Sequence, residues 1–474
     1  MKSFFSTLTF VLLGNLIGAV ELTIIGDLPG GRRSASARGV NADGSIVCGA
    51  AEVTVDPGGA NEETVTGGFV WTLEGGMVLL PFPQDTPGRR RAVARGISDD
   101  GSRIVGEARN FFGKDEPALW TRQADGTYVI ELLSPPSGSS FLANVSANLD
   151  ALGISGNGTV VCGRGQTIPG EFEAWRWTRT DGLQPIGNLS GPLVKSGRTS
   201  YSSAMALSGD GSRIIGRSWT GVTASGGVTR EGFLFEDSVM TALGDLQTPA
   251  LSSEAYAISQ DGSTVVGRAR DPEYGSVAFR KIGGSPMMSL GILPATAFAV
   301  SADGSVASGC ATTAIGREAF VWTQSGGMAL LSEEVTIPNG RLEEALAISD
   351  DGLTIVGTII YPGENGQNDR EAFLLVREGV EFDLGTLVDQ VDLTVEIVGG
   401  SIRLAMTSPP EGVVYTLEYS RDLETAFTAQ VEFTPAGREV RDLSYHGISL
   451  TMTPPSEEIP ADETGFWRVR LSQP

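Results

Sequence analysis

A single histidine, His446, stands in a chain of 474 residues. Serine-type triads need an imidazole base, and histidine-built zinc centres need several imidazoles, so neither is expected upstream of it. Cysteine is almost as scarce, and the three present, Cys48, Cys162 and Cys310, cannot all pair. Cys48 and Cys162 fill one position of a repeat in which other copies carry Val or Ile, which makes them small core residues. Their spacing has no metal-ligand pattern, and no metal or other cofactor is expected. Positive charge is short too: 34 Lys and Arg stand against 57 Asp and Glu, a net of −23. So acidic a surface argues against nucleic acid or anionic lipid as a partner. Phosphate loops and dinucleotide fingerprints are missing.

Long apolar runs are confined to the start of the chain. Residues 1–20 read as a secretory signal peptide, with Lys2, an apolar run from Phe4 to Ile17, and a cut near Ala19 or Val20. That run is too short to span a bilayer comfortably. The expectation is an exported protein, extracellular or at the outer cell surface, with the periplasm as the alternative and no membrane span after signal removal.

What the chain has in quantity is glycine, 63 residues, and it is periodic. A clean copy of the repeat is Ala255 to Gly267, AYAISQDGSTVVG. Seven copies carry their Asp or Asn at Asp43, Asp100, Asn157, Asp210, Asp261, Asp303 and Asp351. Taking that residue as position zero, Ala always stands at −6, Ala or Gly at −4, a branched aliphatic at −3, Asn or Ser at −2, and Gly at +1 and +6. The Asn/Ser-x-Asp-Gly stretch fits a tight hairpin with a left-handed Gly. The small pair at −6 and −4, two apart, reads as one closely packed face of a strand. Val or Ile at +4 and +5 in most copies gives the second strand two apolar faces.

An aromatic strand follows each hairpin, as in EAFVWT at 318–323, and a fourth strand closes the unit, as in MTALGDL at 240–246. Four strands in 40–57 residues are the blade of a β-propeller. The fold expected is therefore all-β: a seven-bladed β-propeller of four-stranded blades over residues 21–387, followed by a small β-sandwich over 388–474. Leu22–Leu28 and Val380–Leu387 both qualify as the strand that completes the last blade, and the sequence leaves the choice open.

The combined motifs A-x-A-I-S-x-D-G-S-x-V-V-G, A-F-x-W-T and G-M-x-x-L-G-x-L resemble the bacterial extracellular HAF-repeat family over about residues 22–387. The His of that family's name is replaced here, by Glu318 and Glu371 in two copies and Val277 in a third. The resemblance implies an exported, repeat-built protein and brings no catalytic residues. Tyr415–Leu423 and Phe466–Arg470 are similar to terminal β-domains of exported proteins from Planctomycetes- or Verrucomicrobia-type bacteria, which implies a sorting or attachment module.

Function is sought in loops on the rigid scaffold. Length varies most at 50–67, 81–93, 107–116, 217–230 and 358–370, on the face where the loops between second and third strands emerge. Phe111, Phe112, Trp219, Tyr274 and Tyr361 supply aromatics there that can stack on sugar rings, and Arg89 and Arg90 add positive charge. The reading is a non-catalytic binding or scaffold protein, monomeric, with a polysaccharide or surface protein as partner. The alternatives are a carboxylate-based polysaccharide hydrolase or lyase, and a purely structural matrix component.

Overall fold

The Asp-Gly turn builds the same hairpin in each repeat. In the fifth copy, Asp261 Oδ1 accepts from the Ser263 N–H at 2.8 Å and from the Ser259 hydroxyl at 2.6 Å, and Ser259 Oγ accepts from the Thr264 N–H at 2.9 Å. Gly262 sits at φ 73°, where a side chain would be strained. Asn157 reproduces the turn in the third copy, accepting from the Thr159 N–H at 2.9 Å with Gly158 at φ 70°.

The computed structural model describes residues 20–83, 88–133, 149–168, 171–189, 201–222, 228–246, 252–363 and 367–377, and the strands at 393–398, 401–406, 414–420, 428–433 and 466–472. The proposed signal peptide, His446 and the candidate strand 380–387 lie outside the described residues. Contacts divide the chain into Val20–Val376 and a unit made of Met1–Ala19 with Arg377–Pro474. Helix is limited, among the described residues, to one 3-10 turn at Leu331–Glu333.

In Val20–Val376 the hairpins grow into four-stranded antiparallel sheets paired in chain order, as in Ser36–Val40, Ile46–Val55, Glu63–Thr72 and Gly76–Leu79. One sheet has seven strands because Met288–Val300 serves twice: its first half pairs with Gly275–Ile282 and its second with Val306–Thr313. The sheet of the last repeat takes its outer strand from the start of the chain. Val20–Gly26 lies beside Asp369–Arg377, in line with Thr354–Tyr361 and Arg341–Ile348. The N-terminal candidate thus fills that place.

One expectation is corrected. The small residues at −6 and −4 do not share a face of a regular strand. Ala37 opposes Gly49 and Gly39 opposes Cys48, so the pair faces successive residues of the partner strand and Arg38 is an extra, bulged residue. The same shift occurs at Ala94/Gly96, Ala151/Gly153, Ala204/Ala206, Ala255/Ala257, Ala297/Ala299 and Ala345/Ala347.

The apolar core is divided among the gaps between sheets. One cluster joins Ile46, Cys48 and Val70 of the first repeat to Ile104, Ala118 and Trp120 of the second. Another joins Val356, Ala372 and Leu374 of the last repeat to Val47, Phe69 and Trp71 of the first. The thiols of Cys48 and Cys162 are fully buried and unpaired, and burial pushes the Cys48 thiol up to about 12. Both are therefore core residues, as their repeat position suggested.

In the C-terminal unit Leu393–Val398 pairs with Ser401–Met406. Val414–Ser420 lies between Thr428–Phe433 and Phe466–Ser472. Residues 434–465, within the expected sandwich, lie outside the described residues.

Candidate functional site

At the hairpin end the turns are tied together through their −1 residues, except that in the third repeat Gly156 accepts and the next residue, Asn157, donates. Ala42 N–H donates to the Asp99 carbonyl, Asp99 to Gly156, Asn157 to Gly209, Gly209 to Gln260, Gln260 to Ala302, Ala302 to Asp350, and Asp350 back to Ala42, at 2.9–3.2 Å. This closed cycle surrounds a cavity of about 140 Å³ lined by aliphatic −3 residues, among them Val40, Ile154 and Ile348, and by Asp99, Gln260 and Asp350. The Gln260 side-chain amide reaches across it, donating to Asp99 Oδ1 at 2.7 Å and to Asp350 Oδ1 at 3.3 Å. Burial raises the Asp99 carboxyl; the Gln260 hydrogen bond opposes this and the nearby Asp350 charge adds to it. Glycine makes the room: a Cβ on Gly209 would stand 1.9 Å from Gln260 Oε1, and one on Gly156 2.2 Å from Asp99 Oδ2.

The turn aspartates titrate the other way. Asp43, Asp100, Asp210, Asp261 and Asp303 are all held below the usual aspartate value: burial opposes this, most at Asp100, Asp261 and Asp303, and hydrogen bonds from the Ser hydroxyls and N–H groups of their own turns outweigh it. A carboxylate whose folded value is lowered adds stability above its unfolded value, and that stability is lost as pH falls through the folded value. The contribution of these turns to stability is therefore expected to be lost below about pH 4. Replacing these five aspartates by Asn, which Asn157 shows the turn accepts, should flatten the drop in chemical denaturation curves taken from pH 5 to pH 3.

The loop residues singled out from the sequence separate into two groups. Arg89, Phe111 and Phe112 come together: the Arg89 guanidinium lies 5.4 Å from the Phe111 ring centroid and donates to the Phe111 carbonyl, and the two rings meet edge to face at 5.7 Å. Phe111 and Phe112 are 63% and 77% exposed, an accessible aromatic pair. Tyr274 is exposed in a separate turn. Tyr361 ends the strand Thr354–Tyr361, half-buried under the Arg33 guanidinium at 4.8 Å.

Trp219 and Arg90 do not belong to an open loop face. Trp219 lies within the strand Ile214–Val222, buried and stacked on Tyr201 at 5.5 Å. Arg90 is buried, and its charge is spent on Glu63 at 2.9 Å. The cause is common to both: strands run further than expected. Ile46–Val55 and Glu63–Thr72 leave only 56–62 as loop, and Ile214–Val222 carries strand deep into 217–230.

The bulged residues form the arrangement that sequence reasoning missed. They are Arg38, Arg95, Leu152, Met205, Tyr256, Phe298 and Leu346, all half-buried. Each lies two residues along its strand from an aliphatic that lines the axial cavity. The positions flanking them never vary beyond Ala and Gly, whereas these range from Arg to Phe. That contrast, constant small neighbours around a variable residue, was the signal available. Bulges re-aim a side chain, and here the first hairpin strand of each of the seven repeats carries one.

Guanidiniums gather near three of them, Arg38, Arg95 and Tyr256. Glu254, with a side chain 3% exposed, accepts from Arg217 at 2.5 Å, Arg268 at 3.0 Å, Arg230 at 3.3 Å and the Tyr256 hydroxyl at 2.8 Å. Burial opposes its ionisation, but the Arg217 and Arg268 guanidiniums outweigh it and hold the carboxyl at about 2. The Tyr201 hydroxyl accepts from Arg164 and Arg217, and Arg164 pairs with Asp150 at 2.8 Å. On the other side Glu107 holds Arg91 and Arg95 at 2.9 Å each, Asp115 holds Arg91 and Arg109 at 3.0 Å, and Glu344 holds Arg317 at 2.5 Å. With Arg38 and with the Arg370–Glu343 pair beside Arg317 and Glu344, these networks set ten guanidiniums against six carboxylates, inside a chain of net charge −23.

No protein-family model matches the chain, and no curated protein matches it. Among solved structures it is similar to TolB from Acinetobacter baumannii, with a TM-score of 0.38 at 12% identity over 65% of this chain and 67% of that one. An acylaminoacyl peptidase bound to a chloromethyl ketone gives 0.44 at 10% identity, over 80% of this chain and 58% of the peptidase. A protein of unknown function from Dyadobacter fermentans gives 0.38 at 12%, over 76% and 99%.

Proposed function

We propose that Val20–Val376 is a seven-bladed β-propeller and that the protein is an exported, non-catalytic binding module of the HAF-repeat type, holding its ligand at the ring of bulged residues. Seven blades are supported by the closed cycle of turn hydrogen bonds, by apolar clusters that join neighbouring repeats, and by the first strand completing the last sheet. The C-terminal strands are read as a small sandwich serving attachment.

The observation that carries the binding reading is the set of bulges: in each of seven repeats a variable residue stands between constant Ala or Gly neighbours, and guanidiniums lie near those of the first, second and fifth repeats. Catalysis is disfavoured by the chain's one histidine, which falls outside the repeats. The test is a panel of immobilised polysaccharides challenged with the full chain, measuring retention and freed reducing ends together. Retention without release is the expected outcome, and release of reducing ends would make the protein an enzyme instead.

A further inference from the structure

Arg38 is the one arginine of the bulged ring without a partner. Its Nε is buried with no hydrogen bond, and no carboxylate reaches it within ion-pair distance among the described residues. The charged groups that face it are Arg95, Glu107 and Glu344. Both carboxylates are already held, Glu107 by Arg91 and Arg95 and Glu344 by Arg317. A half-buried guanidinium beside a second one, with its neighbours' carboxylates committed elsewhere, works against folding. An anion placed on it would relieve that cost.

The rest of the ring is unlike this side. Tyr256 and Phe298, from the fifth and sixth repeats, meet edge to face at 5.7 Å. Tyr256 is fixed by its hydroxyl bond to Glu254. In ring order Leu152 and Met205 separate the arginines from the aromatics on one side, and Leu346 separates them on the other. One side of the ring thus suits a carboxylate, through the planar fork of arginine, and the other suits an apolar ring face.

We propose that this ring takes a uronate residue of an acidic polysaccharide, its carboxylate on Arg38 and the C–H face of its pyranose against Tyr256 and Phe298. The inference rests on the binding reading above and adds the ligand class. A uronate joins one negative charge to a rigid ring with an apolar face. An acidic peptide side chain has the charge without that face, and a neutral sugar has the face without the charge.

The experiment is calorimetric titration of the full chain with trigalacturonate, its methyl-esterified form and hexaglutamate, repeated with Arg38→Met and Tyr256→Ala. Trigalacturonate should bind, weaken as salt rises, and lose about tenfold or more in affinity in each variant. Arg38→Met should unfold at a higher temperature than the parent, which separates lost binding from lost folding. Equal binding of the esterified form would overturn the role of the carboxylate while sparing the binding reading. Hexaglutamate binding as tightly, and weakening equally in both variants, would overturn the choice of a sugar. Unchanged trigalacturonate affinity in Arg38→Met, or a lower unfolding temperature, would overturn the assignment of Arg38. If no sugar of the polysaccharide panel or of this set is retained, both readings fall together.

Discussion

Gly267→Val is expected to prevent folding, or to cost about 4 kcal/mol or more if a folded fraction survives. Gly267 opposes Ala255 beside the bulge and lies under the Phe279 ring. A Cβ there would stand 2.1 Å from the Glu254 carbonyl oxygen and 2.9 Å from Phe279 Cε1. The oxygen belongs to backbone and cannot turn aside, so relief requires opening the hairpin or displacing the fully buried Phe279. Even Gly267→Ala meets this contact and should cost about 2 kcal/mol. The +6 glycines of the other repeats are placed alike; a Cβ would lie 1.9 Å from the Val93 carbonyl oxygen at Gly106 and 1.9 Å from that of Glu344 at Gly357. The matched control is Gly284→Ala, where nothing lies within 4 Å, and a change within about 0.5 kcal/mol is expected. Urea denaturation of the three variants beside the parent checks the ordering.

Removal of residues 20–28 should have the second large effect. Val20–Gly26 is the outer strand of the last sheet, so its loss bares the edge of Asp369–Arg377. It also uncovers apolar clusters: Val20 and Leu22 pack on one, and Leu28 and Ile25 on its neighbour. Burying side chains of this kind is worth about 1.5–3 kcal/mol each when complete, so the deletion should remove about 5 kcal/mol or more. A bared, apolar-flanked edge also invites pairing between molecules. Expected results are a lowered, concentration-dependent unfolding temperature and oligomers in size-exclusion chromatography. A synthetic peptide of residues 20–28 added in trans should reverse both in part.

The hairpins were legible in the sequence because their cause is local. Asp-Gly with Ser or Asn two residues earlier specifies a turn that needs no distant partner, and the structure holds Ser259, Asp261 and Gly262 as that pattern requires. Cys48 was legible by comparison with Val and Ile in sister copies. The bulge was not, because Ala-x-Ala has the same spacing in a regular strand as in a kinked one. Only pairing with Gly49 and Cys48 reveals that Arg38 is extra. Strand length misled as well: Glu52 to Val55 alternates polar and apolar residues far from any turn signal, and strand continues there through cross-strand pairing with Glu63–Thr66. The fate of Trp219 and Arg90 followed from that extension. The candidate site escaped for a related reason, since it joins side chains from separate repeats by packing and ion pairing, neither of which a linear pattern carries.

The N-terminal strand puts the genetic unit out of phase with the structural one. Reading frames that begin at each hairpin end with a fourth strand, yet the last such frame finishes in a sheet whose outer strand was translated first. Taken in chain order, every earlier sheet can complete from neighbouring strands, whereas the final one joins its last strands to a segment more than 340 residues earlier, between Gly26 and Asp369. A chain truncated anywhere before Asp369 therefore leaves Val20–Gly26 without its partner strand, so the last sheet cannot form until the repeat region is complete.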